Sequence, residues 1–134
     1  MPGFGNFRSL NDFTSAEIAY LREHCFDKNV VVNGHYFYMG QEMDSYAQTT
    51  FDFRGARYRI KRHQLSLFLK KYDDTSFDMA DWDDSVSTSH LCGKKRCIRP
   101  EHLELVGMDI NTERVHCFSL GRCCHHRGAP DCLI

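Results

Sequence analysis

Apolar and polar positions in the first part of the chain repeat with the period of a helix. Thr14 followed by Glu17 is a capping-box pattern, in which each residue satisfies a backbone N–H of the other at a helix start. The apolar residues that follow recur three and four positions apart: Ile18, Leu21 and Cys25. We therefore predict an amphipathic helix over residues 14–26 whose last turn carries Cys25.

After this helix, up to about residue 60, the pattern changes to that of β-strands. β-branched and aromatic residues dominate the segments VVVNGHYFYM, YAQTTFDF and ARYRI, and Gly34, Gly40 and Gly55 are candidate turn residues. We expect two or three antiparallel strands. In ARYRI, Arg57 and Arg59 fall on the side opposite the apolar residues. That side is either an ordinary solvated strand face or a surface that faces a phosphate backbone. Two arginines without further evidence favour the solvated face, because charged residues generally lie at the surface.

The last third of the chain predicts a strand, a loop, a second strand and a helix. VSTSHL is expected to be a strand ending at His90, and HLELV a second strand after a loop with Cys92 and Cys97. Asp109 is the expected N-cap of a helix that reaches Cys117. Upstream, residues 64–72 predict a short helix, and the aspartate-rich residues 73–84 predict a solvated loop with Trp82 as candidate anchor.

Length and composition indicate one globular domain of the α+β class. The chain has 134 residues, 42% hydrophobic and 26% charged, which is too short for two independent cores. We expect a single domain over 1–134, with the first helix, the β-sheet and a short helix at 14–72, the strand-strand-helix core at 85–117 and a zinc knuckle at 117–132. No apolar run approaches the roughly 20 residues of a membrane span, and MPGFGNFRSLNDF lacks the apolar core of a signal peptide. An intracellular location follows, nuclear if the source is eukaryotic.

The net charge of −1 argues against a protein held on nucleic acid by bulk positive charge. The distribution of charge matters more, because cations crowd one short stretch: Arg54, Arg57, Arg59, Lys61 and Arg62. One face can therefore be basic although the whole chain is not, and these residues are the candidates for contact with nucleic acid.

Seven cysteines form either a disulfide framework or metal ligands. The odd number, the lack of a secretion signal and the interleaved histidines favour zinc. Cys92, Cys97 and His102 have the spacing C-x4-C-x4-H and need a fourth ligand, for which Cys25 is the only upstream cysteine. A site closed in this way has no open position, so its zinc is structural.

A second zinc site is expected in the tail, where the ligands are in excess. The candidates are Cys117, Cys123, Cys124, His125, His126 and Cys132. We favour Cys117, Cys124, His126 and Cys132, because the side chains of Cys124 and His126 lie on the same side of an extended segment. The choice between Cys123 and Cys124, and between His125 and His126, stays open at this point.

The segment SHLCGKKRCIRPEHLELV, followed by Asn111 and then by the four favoured tail ligands, resembles the His-Cys box homing endonucleases within the His-Me finger nucleases. The resemblance implies a ββα-metal core in which His90 is the general base and Asn111 holds a single catalytic Mg²⁺ or Mn²⁺. It also implies two structural zinc ions on the ligand sets already named: Cys25, Cys92, Cys97 and His102; Cys117, Cys124, His126 and Cys132. The segment RYRIKR is similar to the family strand whose arginine touches the scissile phosphate, which implies that role for Arg57, with Arg54 or Arg59 as alternatives.

The implied activity is metal-dependent hydrolysis of phosphodiester bonds in double-stranded DNA. Neutral His90 takes a proton from water, which attacks the phosphorus in line and leaves a 5′-phosphate and a 3′-hydroxyl. The alternatives are a non-catalytic DNA-binding module, because the Smad-type DNA-binding domain resembles this fold, and a zinc-stabilised protein-interaction module. The presence of both His90 and Asn111 favours the nuclease.

The resemblance also bears on the oligomeric state. Family members extend past the second zinc site with a tail that is exchanged in a dimer, whereas this chain stops at Ile134. A homodimer is therefore allowed but not expected.

Overall fold

The computed structural model describes residues 2–10, 12–27, 29–32, 34–38, 46–73, 82, 86–127 and 129–133. Helices and strands both occur in these ranges, which confirms the predicted α+β class. The elements are α1 (Phe4–Arg8), α2 (Ser15–Phe26), β1 (Asn29–Val32), β2 (His35–Tyr38), β3 (Gln48–Phe53), β4 (Ala56–Lys61), α3 (Arg62–Tyr72), β5 (Val86–His90), β6 (Leu103–Gly107) and α4 (Met108–Leu120), with a 3₁₀ turn at Pro100–His102. No helix in the described ranges has the length and apolar character needed to cross a membrane.

Helix α2 begins where its capping box predicts. The Thr14 hydroxyl accepts the backbone N–H of Glu17 at 3.1 Å, and the Glu17 carboxylate accepts the backbone N–H of Thr14 at 2.9 Å. Both bonds satisfy N–H groups that have no partner inside the helix. The predicted helix over residues 14–26 is therefore confirmed, and Leu21 and Cys25 on its apolar face are fully buried.

Within the described residues the strands pair as three antiparallel hairpins, β1 with β2, β3 with β4 and β5 with β6. The region from β1 to β4 therefore contains four strands rather than the two or three expected. The turn between β3 and β4 places Arg54 at a φ of 48° and Gly55 at a φ of 78°. Two consecutive positive φ angles match the right-handed twist of the strands in a tight hairpin, and glycine adopts this conformation without strain. The predicted alternation in β4 is confirmed, because Tyr58 and Ile60 are buried while Arg57 and Arg59 are exposed.

The main core is rich in aromatic rings and includes a short helix that no periodicity predicted. Helix α1 delivers Phe7, which is 0% exposed and has its ring centroid 5.0 Å from that of Phe68 and 5.3 Å from that of Tyr58. Trp82, the candidate anchor, is itself buried, with its ring 5.0 Å from that of Phe4. Of the predicted aspartate-rich loop, residues 74–81, 83 and 84 lie outside the described residues.

The strand-strand-helix order predicted for the last third of the chain is confirmed by β5, β6 and α4. The predicted helix start is wrong, because Gly107 is the N-cap and Asp109 lies inside the first turn. There its carboxylate still interacts favourably with the positive end of the helix dipole. The helix also runs past Cys117 to Leu120 and ends at Gly121, whose φ of 75° suits glycine at a helix C-terminus.

Candidate active site and zinc centres

The first cluster of metal-ligating side chains lies on the loop between β5 and β6. Cys92, Cys97 and His102 converge as predicted, and the fourth member is His35. Their ligand atoms all lie within 4.8 Å of one another, and both sulfurs belong to buried residues. Two thiolates and two imidazoles form a complete tetrahedral zinc set with no open position. With two thiolates rather than three, the zinc-loaded site is neutral overall.

His35 takes the place that the sequence prediction gave to Cys25. It follows Gly34 at the turn of the β1–β2 hairpin, and the Arg99 guanidinium donates to the Gly34 carbonyl oxygen at 2.7 Å. Cys25 instead donates its Sγ–H to the Arg62 carbonyl oxygen at 3.5 Å inside the core. Its sulfur is therefore not part of the cluster formed by His35, Cys92, Cys97 and His102. The assignment of Cys25 to the zinc site therefore does not agree with its position.

The second cluster lies in the tail and uses Cys123 where Cys124 was preferred. The ligand atoms of Cys117, Cys123, His126 and Cys132 lie within 4.8 Å of one another. The Cys123 sulfur accepts the backbone N–H of Cys132 at 3.2 Å and that of His125 at 3.4 Å. These bonds lower the pKa of Cys123 to about 7, so the thiolate form is favoured.

Cys124 lies on the outer side of the same cluster. It is exposed and groups with Glu113 and His126, while its sulfur is 3.3 Å from that of Cys117. The Glu113 carboxylate contacts Nδ1 of His126 at 2.9 Å and leaves Nε2 facing the Cys132 sulfur at 3.3 Å. A carboxylate behind a histidine ligand fixes its orientation in this way in many zinc sites.

His90 and Asn111 are presented by the β5–β6–α4 unit. His90 is the last residue of β5, and its Nε2 lies 3.1 Å from the Cys97 carbonyl oxygen. Because a carbonyl oxygen only accepts, Nε2 carries the proton and Nδ1 has the lone pair in the neutral ring. Asn111 lies in the first turns of α4, and its amide nitrogen donates to Ser87 Oγ at 3.4 Å. The amide oxygen is therefore the atom left for other ligands.

One cavity contains both of these residues. It has a volume of about 180 Å³ and is lined by Tyr46, His90, Gly93, Lys95, Asn111, Arg114, Val115 and Phe118. Gly93 has a φ of 71°, and a Cβ there would lie 2.7 Å from the Phe118 ring, so glycine lets the zinc-binding loop approach α4 closely. The histidine and asparagine predicted from the sequence thus open to the same space.

Comparison with known protein families agrees with this arrangement of ligands. The profile of the zinc-binding loop region of homing endonucleases matches residues 24–133. The chain belongs to this family. No curated protein is similar enough to the chain to count as a relative.

Two rings that the sequence analysis did not assign to the site pack beside His90, those of His63 and Tyr46. The His63 ring centroid lies 4.7 Å from that of His90 and 4.7 Å from that of Tyr46. His63 is 5% exposed, and burial lowers its pKa well below the usual value, with the charges of His90 and Lys61 adding to the effect. Burial likewise lowers the pKa of His90 to about 4. Both rings are therefore neutral near pH 7.

The predicted cationic residues divide into separate groups. Arg57, Arg59 and Lys61 share the exposed face of β4, but Arg57 is paired with Asp52 at 3.1 Å and is not among the residues lining the cavity. Arg59 donates to the Gln48 side chain at 2.5 Å. Lys61, at the end of the strand, has its ammonium 4.9 Å from the Tyr46 ring centroid.

Arg54 and Arg62 are held by protein groups elsewhere. Arg54 forms an ion pair with Glu17 at 2.8 Å. Arg62 is 4% exposed and donates to the carbonyl oxygens of His24 at 2.7 Å and Cys25 at 2.9 Å. It therefore satisfies backbone acceptors at the end of α2, and its buried position does not favour the predicted contact with nucleic acid.

Proposed function

We propose that the chain is a Mg²⁺- or Mn²⁺-dependent endonuclease that hydrolyses phosphodiester bonds of double-stranded DNA to a 5′-phosphate and a 3′-hydroxyl. The observation that carries this proposal is the shared cavity of His90 and Asn111 on a strand-strand-helix unit. Membership of the homing endonuclease zinc-binding family supports DNA as the substrate.

His90 acts as the general base. Its Nε2–H is held by the Cys97 carbonyl oxygen, so the ring presents the Nδ1 lone pair to a water molecule in the cavity. Removing a proton from this water as it attacks the phosphorus lowers the barrier of the attack. The hydrogen bond to Cys97 also fixes the angle at which the imidazole meets that water.

Asn111 would hold the divalent cation. Its amide nitrogen is occupied by Ser87, which leaves the oxygen, a hard donor of the kind that Mg²⁺ and Mn²⁺ prefer. One neutral protein ligand binds such a cation weakly until phosphate oxygens join it, which fits a site that assembles on the substrate. When bound, the cation supplies positive charge for the phosphate and the departing 3′ oxygen.

The two zinc clusters have a structural role in this proposal. Each offers four protein ligands, so no position remains for water or substrate. The first cluster includes Cys97, whose carbonyl oxygen orients His90. The second ties the tail to α4, and the backbone N–H of Leu133 donates to the Leu91 carbonyl oxygen at 2.7 Å next to His90.

The test is nicking of a supercoiled plasmid with and without Mg²⁺ by the wild type, His90→Ala and His116→Ala. His116 is an exposed histidine on α4 outside the cavity, so it is the matched control. We expect His90→Ala to cleave at least about 10²-fold more slowly, the usual effect of removing a general base. His116→Ala should cleave like the wild type, and all three should bind DNA alike.

Two results would contradict the proposal. Equal cleavage by His90→Ala and His116→Ala would remove His90 from the chemistry. A wild type that binds the plasmid but never nicks it with Mg²⁺ or Mn²⁺ would favour a non-catalytic DNA-binding module.

A further inference from the structure

Two lysines from different parts of the chain meet at one aromatic ring beside His90. The ammonium of Lys61 lies 4.9 Å and that of Lys95 5.8 Å from the Tyr46 ring centroid. The Tyr46 ring in turn lies 5.8 Å from that of His90, with an angle of 22° between the ring planes. Tyr46 and Lys95 also line the cavity that contains His90 and Asn111.

These two lysines differ in their charge partners from most of the predicted cationic residues. Carboxylates of Glu17, Asp52 and Asp27 pair with the arginines at positions 54, 57 and 62. Within the part of the chain that the structure describes, no carboxylate is paired with Lys61 or Lys95. Both ammonium groups therefore lie at the same ring without a carboxylate partner among the described residues, and a bound anion would pair with them there.

We propose that Lys61 and Lys95 form the subsite that binds the scissile phosphate, with Tyr46 as the platform that holds both side chains. This inference rests on the proposed endonuclease function. The two ammonium groups replace Arg57, whose guanidinium is paired with Asp52 on the exposed face of β4.

The positions of the two lysines explain how the subsite is kept in place. Lys61 ends β4, and α3 begins at the next residue. Lys95 lies in the loop between Cys92 and Cys97, so the first zinc cluster fixes its backbone. Ser66 of α3 donates its hydroxyl to the Ile98 carbonyl oxygen at 2.6 Å, which joins the two supports. A phosphate bound between the lysines therefore lies where β4 and the zinc-binding loop meet.

The expected effects follow from the charge that each lysine contributes. A lysine that neutralises one phosphate contributes about 0.9 to the slope of log K against log of salt concentration for duplex DNA. Removing a cation that stabilises a reacting phosphate should also slow cleavage, by roughly 10²- to 10³-fold. A lysine that lies on the surface away from the scissile phosphate should not change the rate of cleavage.

The experiment uses the full zinc-loaded chain as wild type, Lys61→Gln, Lys95→Gln, Lys95→Arg and Lys94→Gln. Lys94 is exposed in the same loop and carries the same charge, but within the described residues its ammonium makes no contact with the Tyr46 ring, so it is the matched control. Binding of a random-sequence duplex without divalent cation is followed by fluorescence anisotropy between about 50 and 200 mM salt. Cleavage of the same duplex is then measured with Mg²⁺, and the zinc content confirms that each variant is folded.

Lys61→Gln and Lys95→Gln should each lose about one unit of salt slope and cleave roughly 10²- to 10³-fold more slowly than Lys94→Gln. Lys95→Arg, which restores the charge, should recover most of the activity. The proposal is overturned if both Gln variants bind and cleave like Lys94→Gln. If no protein cleaves, the endonuclease function fails. The salt slopes then still decide whether the two lysines contact phosphate.

Discussion

Replacing His35 and Cys25 in turn tests how the first zinc site is closed. The structure places His35 with Cys92, Cys97 and His102, and it places Cys25 in the core beneath the Arg62 carbonyl oxygen. We expect His35→Ala to reduce the zinc content from two ions per chain to one. Cys25→Ala should keep both ions, because it removes a sulfur that packs in the core and is no ligand.

The two substitutions should also differ in their effect on stability. Cys25 is 0% exposed, so Cys25→Ala removes about one buried methylene equivalent and leaves a small cavity, a loss of roughly 1–2 kcal/mol. A metal ion whose free concentration is about 1,000 times its dissociation constant stabilises the fold by about 4 kcal/mol. His35→Ala should lose most of this stabilisation. A loss of 1 kcal/mol lowers the Tm of a chain of this size by about 3–5 °C. The expected fall in Tm is therefore roughly 5 °C for Cys25→Ala and roughly 15 °C for His35→Ala.

The assay combines metal analysis of the purified proteins with thermal unfolding followed by circular dichroism. His35→Cys supplies the control, because it keeps a zinc ligand at the same turn and should retain both ions. The reasoning is refuted if Cys25→Ala loses one zinc ion while His35→Ala keeps two. In that case α2, rather than the β1–β2 hairpin, is tied to the zinc-binding loop.

Three further predictions concern the second zinc site, the core and an ion pair. Cys123→Ser should lose one zinc ion per chain while Cys124→Ser keeps both, and metal analysis showing the reverse would restore the ligand set expected from the sequence. Phe7→Ala removes a fully buried ring and should lower the free energy of unfolding by about 3–5 kcal/mol in urea titrations; a loss below about 1 kcal/mol would show that α1 is not part of the core. A hydrogen bond from Arg54 lowers the pKa of Glu17 from 4.5 to about 2. The ion pair between them therefore stabilises the fold fully above pH 4.5, and this stabilisation is lost as the pH falls towards 2. Glu17→Gln should therefore show a flatter fall of Tm across this window, and an unchanged profile would mean that the pair does not stabilise the fold.

The sequence alone determined the features that depend on residues close together in the chain. The capping box set the start of α2, the alternation in ARYRI set the buried side of β4, and the order of strand, loop, strand and helix followed from one continuous segment. Cys92, Cys97 and His102 could be paired because one loop carries all three. Local spacing is sufficient in these cases, since backbone geometry fixes where such side chains point.

Only the tertiary structure decided which distant residues join the site. Counting cysteines led to Cys25, whereas packing of the β1–β2 hairpin against the zinc-binding loop brought in His35. A histidine just after a tight turn was the available signal. The sequence likewise placed Arg62 with the other cations, but its guanidinium satisfies carbonyl oxygens at the end of α2.

Tertiary packing also brings Lys61 and Lys95 together at the Tyr46 ring. Spacing along the chain constrains contacts within a loop, a hairpin or a helix turn. Contacts across tens of residues depend on which elements bury their apolar faces together, and this is decided by the whole core.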